Sequence, residues 1–442
     1  MRTGADMADP GERLAVRTVG RGLRRWVIEN GRRQPIAVVM GASVNGLSFV
    51  RSLGRRGVPT LLLDSDRLIG TYTRYGKLAL LPPPDERADA WIELLTSVGS
   101  LLGVPGVLFF TSDTHAVLVA EAQDVLRRYF RFLIPSAQTM ERIVNKRIQY
   151  SVAQATGIPI PKSYFPESVE EVIGIASEVI YPCILKPYKA HLGRSKIVGK
   201  VALVQTPEQL VAEYRRLDAT EVHFLVQEVV PGGDDTLYGY MAFWDADGCE
   251  HSWVTKRKLR QNSRFGDGSL QVTVEAPEVT DQSRRLLRAF GYTGFVGVEF
   301  KFDARDRTFR LMEINPRTVS GNQLPITAGV DFPWIGYRYL SSWSRPVPRD
   351  FARGVKYLNE EWDLKGFFRL RKAGQLTTWE WLRSLRGVKA LAIWAWDDPL
   401  PMVVVLWRLL LAGIRRLRWV AEPSRGGATP MGATSSCPGV LI

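Results

Sequence analysis

Cysteine, histidine and long apolar runs are all scarce in these 442 residues, and each scarcity removes a class of function. The three cysteines, Cys183, Cys249 and Cys437, lie too far apart to read as a disulfide framework, and the four histidines share no metal-ligand spacing. Zinc chemistry and a disulfide-stapled scaffold are therefore not expected, and a reducing, cytoplasmic compartment fits best. No stretch offers about 20 uninterrupted apolar residues, so no conventional membrane span is expected. Acidic residues are in deficit as well: 45 Asp and Glu face 59 Lys and Arg, a formal charge of +14. A surplus of that size suits anionic partners such as nucleotides, metabolites, nucleic acid or a membrane surface, or reflects arginine-rich composition alone. Core-forming residues are plentiful: 45% of the chain is apolar, and the length allows two or three domains.

Residues 1–34 hold eight Arg against four acidic residues and no apolar signal-peptide core. They read as a flexible basic tail, with at most a short helix around Leu23–Ile28. From Pro35 to about residue 140, short apolar runs alternate with helical spacing, which predicts a parallel sheet covered on both faces. The first βαβ unit turns at Gly41-Ala-Ser-Val-Asn-Gly46, and its second strand ends at Asp64. Over 141–345 the texture changes to longer strands joined by turns such as Asp245-Ala-Asp-Gly248, a mark of antiparallel hairpins. The chain thus reads α/β first and α+β second. Beyond about 345 lies a Trp- and Arg-rich extension to 422, then a Gly/Ser/Pro-rich tail over 423–442 expected to be disordered.

The densest chemistry is Gly297-Val-Glu299-Phe-Lys301 followed by Leu311-Met-Glu313-Ile-Asn315-Pro-Arg317. Side chains alternate along a strand, so Glu313 and Asn315 share one face, and a hairpin partner brings Glu299 to that same face. Two carboxylates and an amide oxygen are hard donors that suit magnesium, or manganese, with phosphate oxygens and water completing the shell. Arg317 leaves the strand end beside them, where a guanidinium can hold a transferring phosphoryl group. Lys146 precedes a helix, and Lys186 ends the apolar strand Cys183-Ile-Leu-Lys186. The strand Phe224–Val229 runs into Pro231-Gly-Gly-Asp-Asp235. The basic run Lys256-Arg-Lys258-Leu-Arg260 splits between two strand faces, leaving solvated face and substrate site as equal readings. It lacks the interleaved aromatics that nucleic-acid binding would need.

In this order the features resemble the ATP-grasp superfamily, in particular the carboxylate–amine ligase branch that includes D-aspartate ligase and carbamoyl-phosphate-synthase-like enzymes. The resemblance implies a Rossmann-like pre-ATP-grasp domain over 35–140 and an ATP-grasp domain over 141–345, with a lid-like subdomain at 182–230 and a helical C-terminal extension. It implies that Lys146 and Lys186 contact ATP phosphates, that Gln227, Glu228 and Val229 read the adenine, and that Asp235 accepts from the ribose. Glu299, Glu313 and Asn315 would bind magnesium, and Arg317 with Lys186 would serve catalysis. Lys256, Lys258 and Arg260 would face a small-molecule carboxylate or amine substrate. In the family the stretch after the second lysine is a mobile phosphate-covering loop. Here it reads Tyr188-Lys-Ala-His-Leu-Gly193-Arg-Ser-Lys196, with one glycine, so which basic residue covers the phosphates stays open.

Two other readings compete. Gly41-x-Ser-x-x-Gly46 with Asp64 approximates a dinucleotide fingerprint, which would make an NAD-dependent oxidoreductase, but Ser43 stands where the middle glycine belongs. A non-catalytic ATP-binding protein at the membrane surface is the other, against which Arg317 and the intact acidic trio weigh. The segment 400–419, an apolar helix interrupted by Arg408 and closed by Arg and Trp, suits either an interfacial position on an anionic membrane or packing on the protein or on a homodimer partner.

Overall fold

In the computed structural model the described residues are 20–32, 34–189, 202–220, 222–342 and 350–421. The expected tail is structured in part: α1 (Arg21–Gly31) places Leu23, Trp26 and Val27 against the first core, an i, i+3, i+4 stripe diluted by arginines in the sequence. Residues 1–19 and the tail 423–442 lie outside the described residues.

The fully buried strands β1 (Ala37–Met40), β2 (Thr60–Asp64) and β4 (Gly106–Phe110) form the centre of a five-stranded parallel sheet. Its edges are β3 (Lys77–Leu80) and β5 (Phe130–Arg131), and its order is β3-β2-β1-β4-β5. The helices α2 (Val44–Gly54), α3 (Ala88–Gly99) and α4 (Asp113–Glu121) cover it. Strand order reverses between β1 and β4, which run parallel, so the crevice at their carboxyl ends is where such a sheet presents ligand-facing residues. The turn after β1 is closed on itself. Asp64 accepts from the Ala42 amide and from Ser65 N at 2.7 Å, and a Cβ at Gly46 would collide with the Gly41 carbonyl oxygen. The carboxylate that a dinucleotide ribose would need is already occupied by its own loop.

Helices α5 (Ala137–Val144) and α6 (Lys146–Ala155) lead into a four-stranded sheet of order β6-β9-β7-β8. Its strands are β6 (Ser163–Tyr164), β7 (Cys183–Pro187), β8 (Ala202–Val204) and β9 (Phe224–Glu228), backed by α7 (Val169–Ile175) and α8 (Pro207–Asp218). The subdomain expected at 182–230 thus begins at Ser163, in a strand too short to show a period.

The largest sheet has seven strands in the order β14-β13-β10-β11-β12-β15-β16. They are β10 (Leu237–Trp244), β11 (Glu250–Gln261), β12 (Gly268–Thr273), β13 (Gly294–Asp303), β14 (Thr308–Asn315), β15 (Lys356–Leu358) and β16 (Val388–Leu391). One face packs on α6 and on α9 (Pro277–Phe290). The other shares a core with the first sheet, where Phe49 and Phe109 meet Met241, Phe243 and Phe295 beside α10 (Phe332–Ser342).

The C-terminal region carries the expected helices α11 (Glu360–Lys372), α12 (Thr378–Ser384) and α13 (Leu400–Ala421), and it also supplies β15 and β16 to the large sheet. Two buried ion pairs fasten it. Arg51 Nε contacts Asp398 at 2.9 Å, and Arg260 makes a two-pronged contact to Asp363 at 2.8 and 2.9 Å. Arg260 was a substrate candidate. An irregularity in the β11–β12 register between Lys258 and Arg260 breaks the strict alternation, and its guanidinium enters this structural pair instead. Arg260→Ala leaves the buried Asp363 carboxylate without its cation, held by hydrogen bonds from Ser269 and Trp381, and is expected to cost about 3–5 kcal/mol in chemical denaturation; a loss below about 1 kcal/mol would remove the pair from the fold's essential contacts. Among the described residues no helix is long and apolar enough to cross a membrane.

Candidate active site

Glu299 and Glu313 lie directly opposite in the β13–β14 ladder, so both carboxylates leave one face of the sheet. In the same unbroken register Asn315, opposite Gly297, shares that face, and the register shifts only on the other side, between Glu299 and Phe300. Asn315 Nδ2 donates to Glu313 Oε1 at 3.2 Å, while its Oδ1 accepts from Arg317 Nη2 at 3.0 Å. The acidic trio and the arginine read from the sequence are brought together.

Four lysines approach this group from three elements. Lys146, at the start of α6, holds Nζ 3.5 Å from Glu313 Oε2. Lys258 on β11 contacts Glu299 Oε2 at 2.8 Å. Lys256 is its neighbour on the same face, paired across from Gly239, which in turn pairs with Glu299. A Cβ at Gly239 would stand 2.8 Å from Lys256 Cε, so the glycine is what lets the lysine lie across β10 towards Glu299. From the four-stranded sheet, Lys186 Nζ donates to the Tyr150 hydroxyl at 3.2 Å.

Burial pushes the Lys186 and Lys256 amines down to about 8, with Glu313 and Glu299 respectively opposing the shift. For Lys258 burial acts the same way, but the Glu299 contact outweighs it and the net shift is upward. Burial would raise the Glu313 carboxyl; Lys146, Asn315, Lys186 and Lys258 reverse that and hold it well below the usual carboxylate range. The result is an ionised Glu313 inside a cationic surround, a potential that favours a polyanion carrying its own divalent cation.

Two residues here escaped sequence reasoning. Asp113, the first residue of α4 at the crevice of the parallel sheet, clamps Arg317: Nε to Oδ1 is 2.7 Å and Nη2 to Oδ2 is 3.1 Å. In sequence it reads only as an acid in a helix's first turn; its place just beyond a buried strand was the available signal. Tyr150 is a hub, accepting from Lys186 and from Gln227 Nε2 at 3.0 Å while donating to the Met312 carbonyl at 3.0 Å. We expect Asp113→Asn, which weakens the clamp without removing the guanidinium, to lower kcat about tenfold to a hundredfold with little change in nucleotide affinity. A loss confined to KM for ATP would instead make Asp113 part of the nucleotide site.

Other expectations need correction. β9 is an inner strand between β6 and β7, so the Gln227 and Glu228 main chain is flanked by ladder partners on both sides, and Val229 N donates to the Pro182 carbonyl at 3.0 Å. The Gln227 amide points to Tyr150 and Ser163, and the Glu228 carboxylate accepts from Lys162 N and Arg305, both at 2.8 Å. The Gln227 and Glu228 side chains are thus engaged within the protein, Glu228 tying the end of β9 to Lys162 and Arg305. Asp235 pairs with Arg257 at 2.8 Å. Of the stretch 188–200 expected to cover the phosphates, Tyr188 is buried and Lys189 pairs with Glu141 at 2.5 Å, while 190–200 lie outside the described residues.

Comparison with known proteins bears on the fold that carries these residues. Residues 245–361 match the family model for "ATP-grasp in the biosynthetic pathway with Ter operon". The chain is 23% identical over 305 residues to the D-aspartate ligase of Enterococcus faecium (strain Aus0004), covering 64% of this chain and 71% of that one. It is 24% identical over 289 residues to the formate-dependent phosphoribosylglycinamide formyltransferase of Corynebacterium jeikeium (strain K411), covering 63% and 67%. Among solved structures it resembles the ADP complex of N5-carboxyaminoimidazole ribonucleotide synthetase with a TM-score of 0.59 at 13% identity, over 77% of this chain and 86% of that one. An L-amino acid ligase from Bacillus licheniformis superposes with a TM-score of 0.55 at 15% identity, over 70% and 75%. With the family model and the relatives pointing the same way, this chain has the ATP-grasp fold.

Proposed function

We propose that the protein is an ATP- and magnesium-dependent ligase that activates a carboxylate as an acyl phosphate for attack by an amine. The observation that carries this reading is the convergence of Glu299, Glu313 and Asn315 with Lys146, Lys186 and Arg317 on one face. Among the described residues no three or more His, Cys, Asp or Glu side chains are grouped to hold a metal alone. The oxygen donors Glu299, Glu313 and Asn315 fit a cation that draws the rest of its shell from phosphate and water, and these residues would hold magnesium. Bound there, the cation would neutralise phosphate charge. Lys146 and Lys186 would bind the phosphate chain, and Arg317, aimed by Asp113, would stabilise the phosphoryl group in transfer and the acyl phosphate formed from it. Lys256 and Lys258 would orient the carboxylate substrate. Positioning and charge neutralisation carry the reaction, and no covalent enzyme nucleophile is needed. The action would be cytoplasmic, where ATP is supplied.

The direct test is hydroxylamine trapping over a panel of carboxylates. A hydroxamate formed only with ATP and magnesium, accompanied by ADP and phosphate, supports the reading; release of AMP and pyrophosphate would replace it with acyl-adenylate chemistry.

The lysines make nucleotide binding pH-dependent. Lys186 is charged below about 8 and neutral above it. Phosphate favours the charged form, so binding raises its pKa and takes up a proton at and above that pH. Nucleotide affinity is expected to fall by up to about tenfold per pH unit above about 8, and Lys186→Arg should flatten the profile, since guanidinium stays charged. A flat wild-type profile in titration calorimetry from neutral pH upward would show that Lys186 does not meet the phosphates.

A further inference from the structure

We propose that the outward face of α13, together with the arginines that end it in the sequence, seats this protein on an anionic membrane surface. This goes beyond the ligase reading and does not depend on it. Helix α13 is fixed from within: Val405 is buried, Met402 packs on the shared core, and Arg408 Nη2 reaches the Arg67 carbonyl at 3.1 Å. On its other side Val403, Leu406, Trp407 and Leu410 are exposed at helical spacing, Trp407 to 59% and Leu410 to 55%, and Trp396 just ahead of the helix is 87% exposed. A contiguous apolar stripe of large side chains held rigidly in solvent marks a surface built to be covered. Beside it opens an apolar cleft of about 260 Å³ between α11, α12 and α13, with Leu406 at its wall.

Charge decides what covers it. Between Leu400 and Ala421 the sequence contains Arg408, Arg415, Arg416 and Arg418 and no acidic residue. A symmetric dimer through this face would set the same arginine-rich helix against itself, with like charges opposed. The chain's own end, Glu422-Pro-Ser-Arg-Gly-Gly onward, has no amphipathic period with which to cover an apolar stripe. A lipid interface satisfies both halves of the pattern: Trp and Leu enter the acyl boundary, and the arginines meet anionic headgroups. The face lies near the site. α13 packs on the turn Ile69–Tyr72, through Arg408 over the Tyr72 ring, and Gly70 N of that turn donates to the Ala42 carbonyl at 2.7 Å in the loop after β1. Docking would hold the crevice of the first sheet close to the membrane.

The test is flotation of the full-length protein with vesicles of phosphatidylcholine alone or with phosphatidylglycerol added, at low and high salt, alongside light scattering for oligomeric state. Binding only to the anionic vesicles, weakened by salt, is expected. It should be lost in Trp407→Glu/Leu410→Glu and reduced about fivefold for each arginine neutralised in Arg415→Gln/Arg416→Gln. Because Trp407 and Leu410 are exposed, Trp407→Glu/Leu410→Glu should keep the wild-type Tm, which separates lost docking from lost folding. Absence of flotation, flotation indifferent to lipid charge, or a wild-type dimer that the Glu variants convert to monomer would each overturn the proposal, the last by naming a second copy as the occupant.

Discussion

Glu313→Gln is expected to lower ATP turnover by roughly three orders of magnitude, the largest single effect in the molecule. The substitution keeps the shape and one oxygen acceptor but removes the charge that would hold the cation, and a lost charge contact at a developing phosphoryl anion is worth roughly 3–4 kcal/mol. A second consequence separates this from a folding defect. In the wild type Glu313 answers Lys146, Lys186 and Lys258, and its carboxyl is held below the usual range. A depressed carboxylate contributes stability that is present above its unfolded pKa of about 4.3 and is lost as pH falls towards the folded value. Glu313→Gln should therefore be less stable than wild type near neutrality and converge with it in acid. It should also push Lys186 further below about 8, since the acid opposing its burial is gone. Turnover surviving at near-normal rates would remove Glu313 from the metal site whatever the stability curve shows.

Arg317→Lys should cost turnover roughly a hundredfold to a thousandfold while leaving nucleotide affinity within a few-fold of wild type. Charge is conserved, so any loss measures geometry. The guanidinium binds Asp113 through Nε and Nη2, Asn315 through Nη2 and the Thr318 carbonyl through Nη1. An ammonium cannot make this fork and still face a phosphoryl group. The change should therefore appear in kcat, because the contact matters most when charge develops in transfer. If KM for ATP rises and kcat stays, Arg317 binds the ground-state nucleotide and the catalytic assignment moves elsewhere. Asp113→Asn serves as the companion: a positioning role predicts a smaller loss in the same parameter.

Much of this was legible in the chain. The strands bearing Glu299, Glu313 and Asn315 announce themselves by alternation, and a period of two is enough to place three oxygen donors on one face. The βαβ alternation of residues 35–140 predicts a parallel sheet because parallel strands buried on both faces read as continuous apolar runs. What failed did so for local reasons. Arg260 obeyed the alternation in sequence and lost it in an irregular register; Gln227 and Glu228 looked like a free hinge until β6, a strand of two residues, paired with them.

The sequence by itself thus determined the oxygen-bearing side chains, the strand face that carries them and the succession of a parallel sheet by antiparallel ones, since periodicity and turn chemistry act between near neighbours. Tertiary structure alone decided which cations answer which acids. Asp113 meets Arg317 across 204 residues, Lys258 meets Glu299 across 41, and Arg51 meets Asp398 across 347. Such pairs are created by packing one layer on another or by bringing non-adjacent strands into one sheet, and no local pattern records them, because the energy that selects a buried partner exists only once water has been excluded from both.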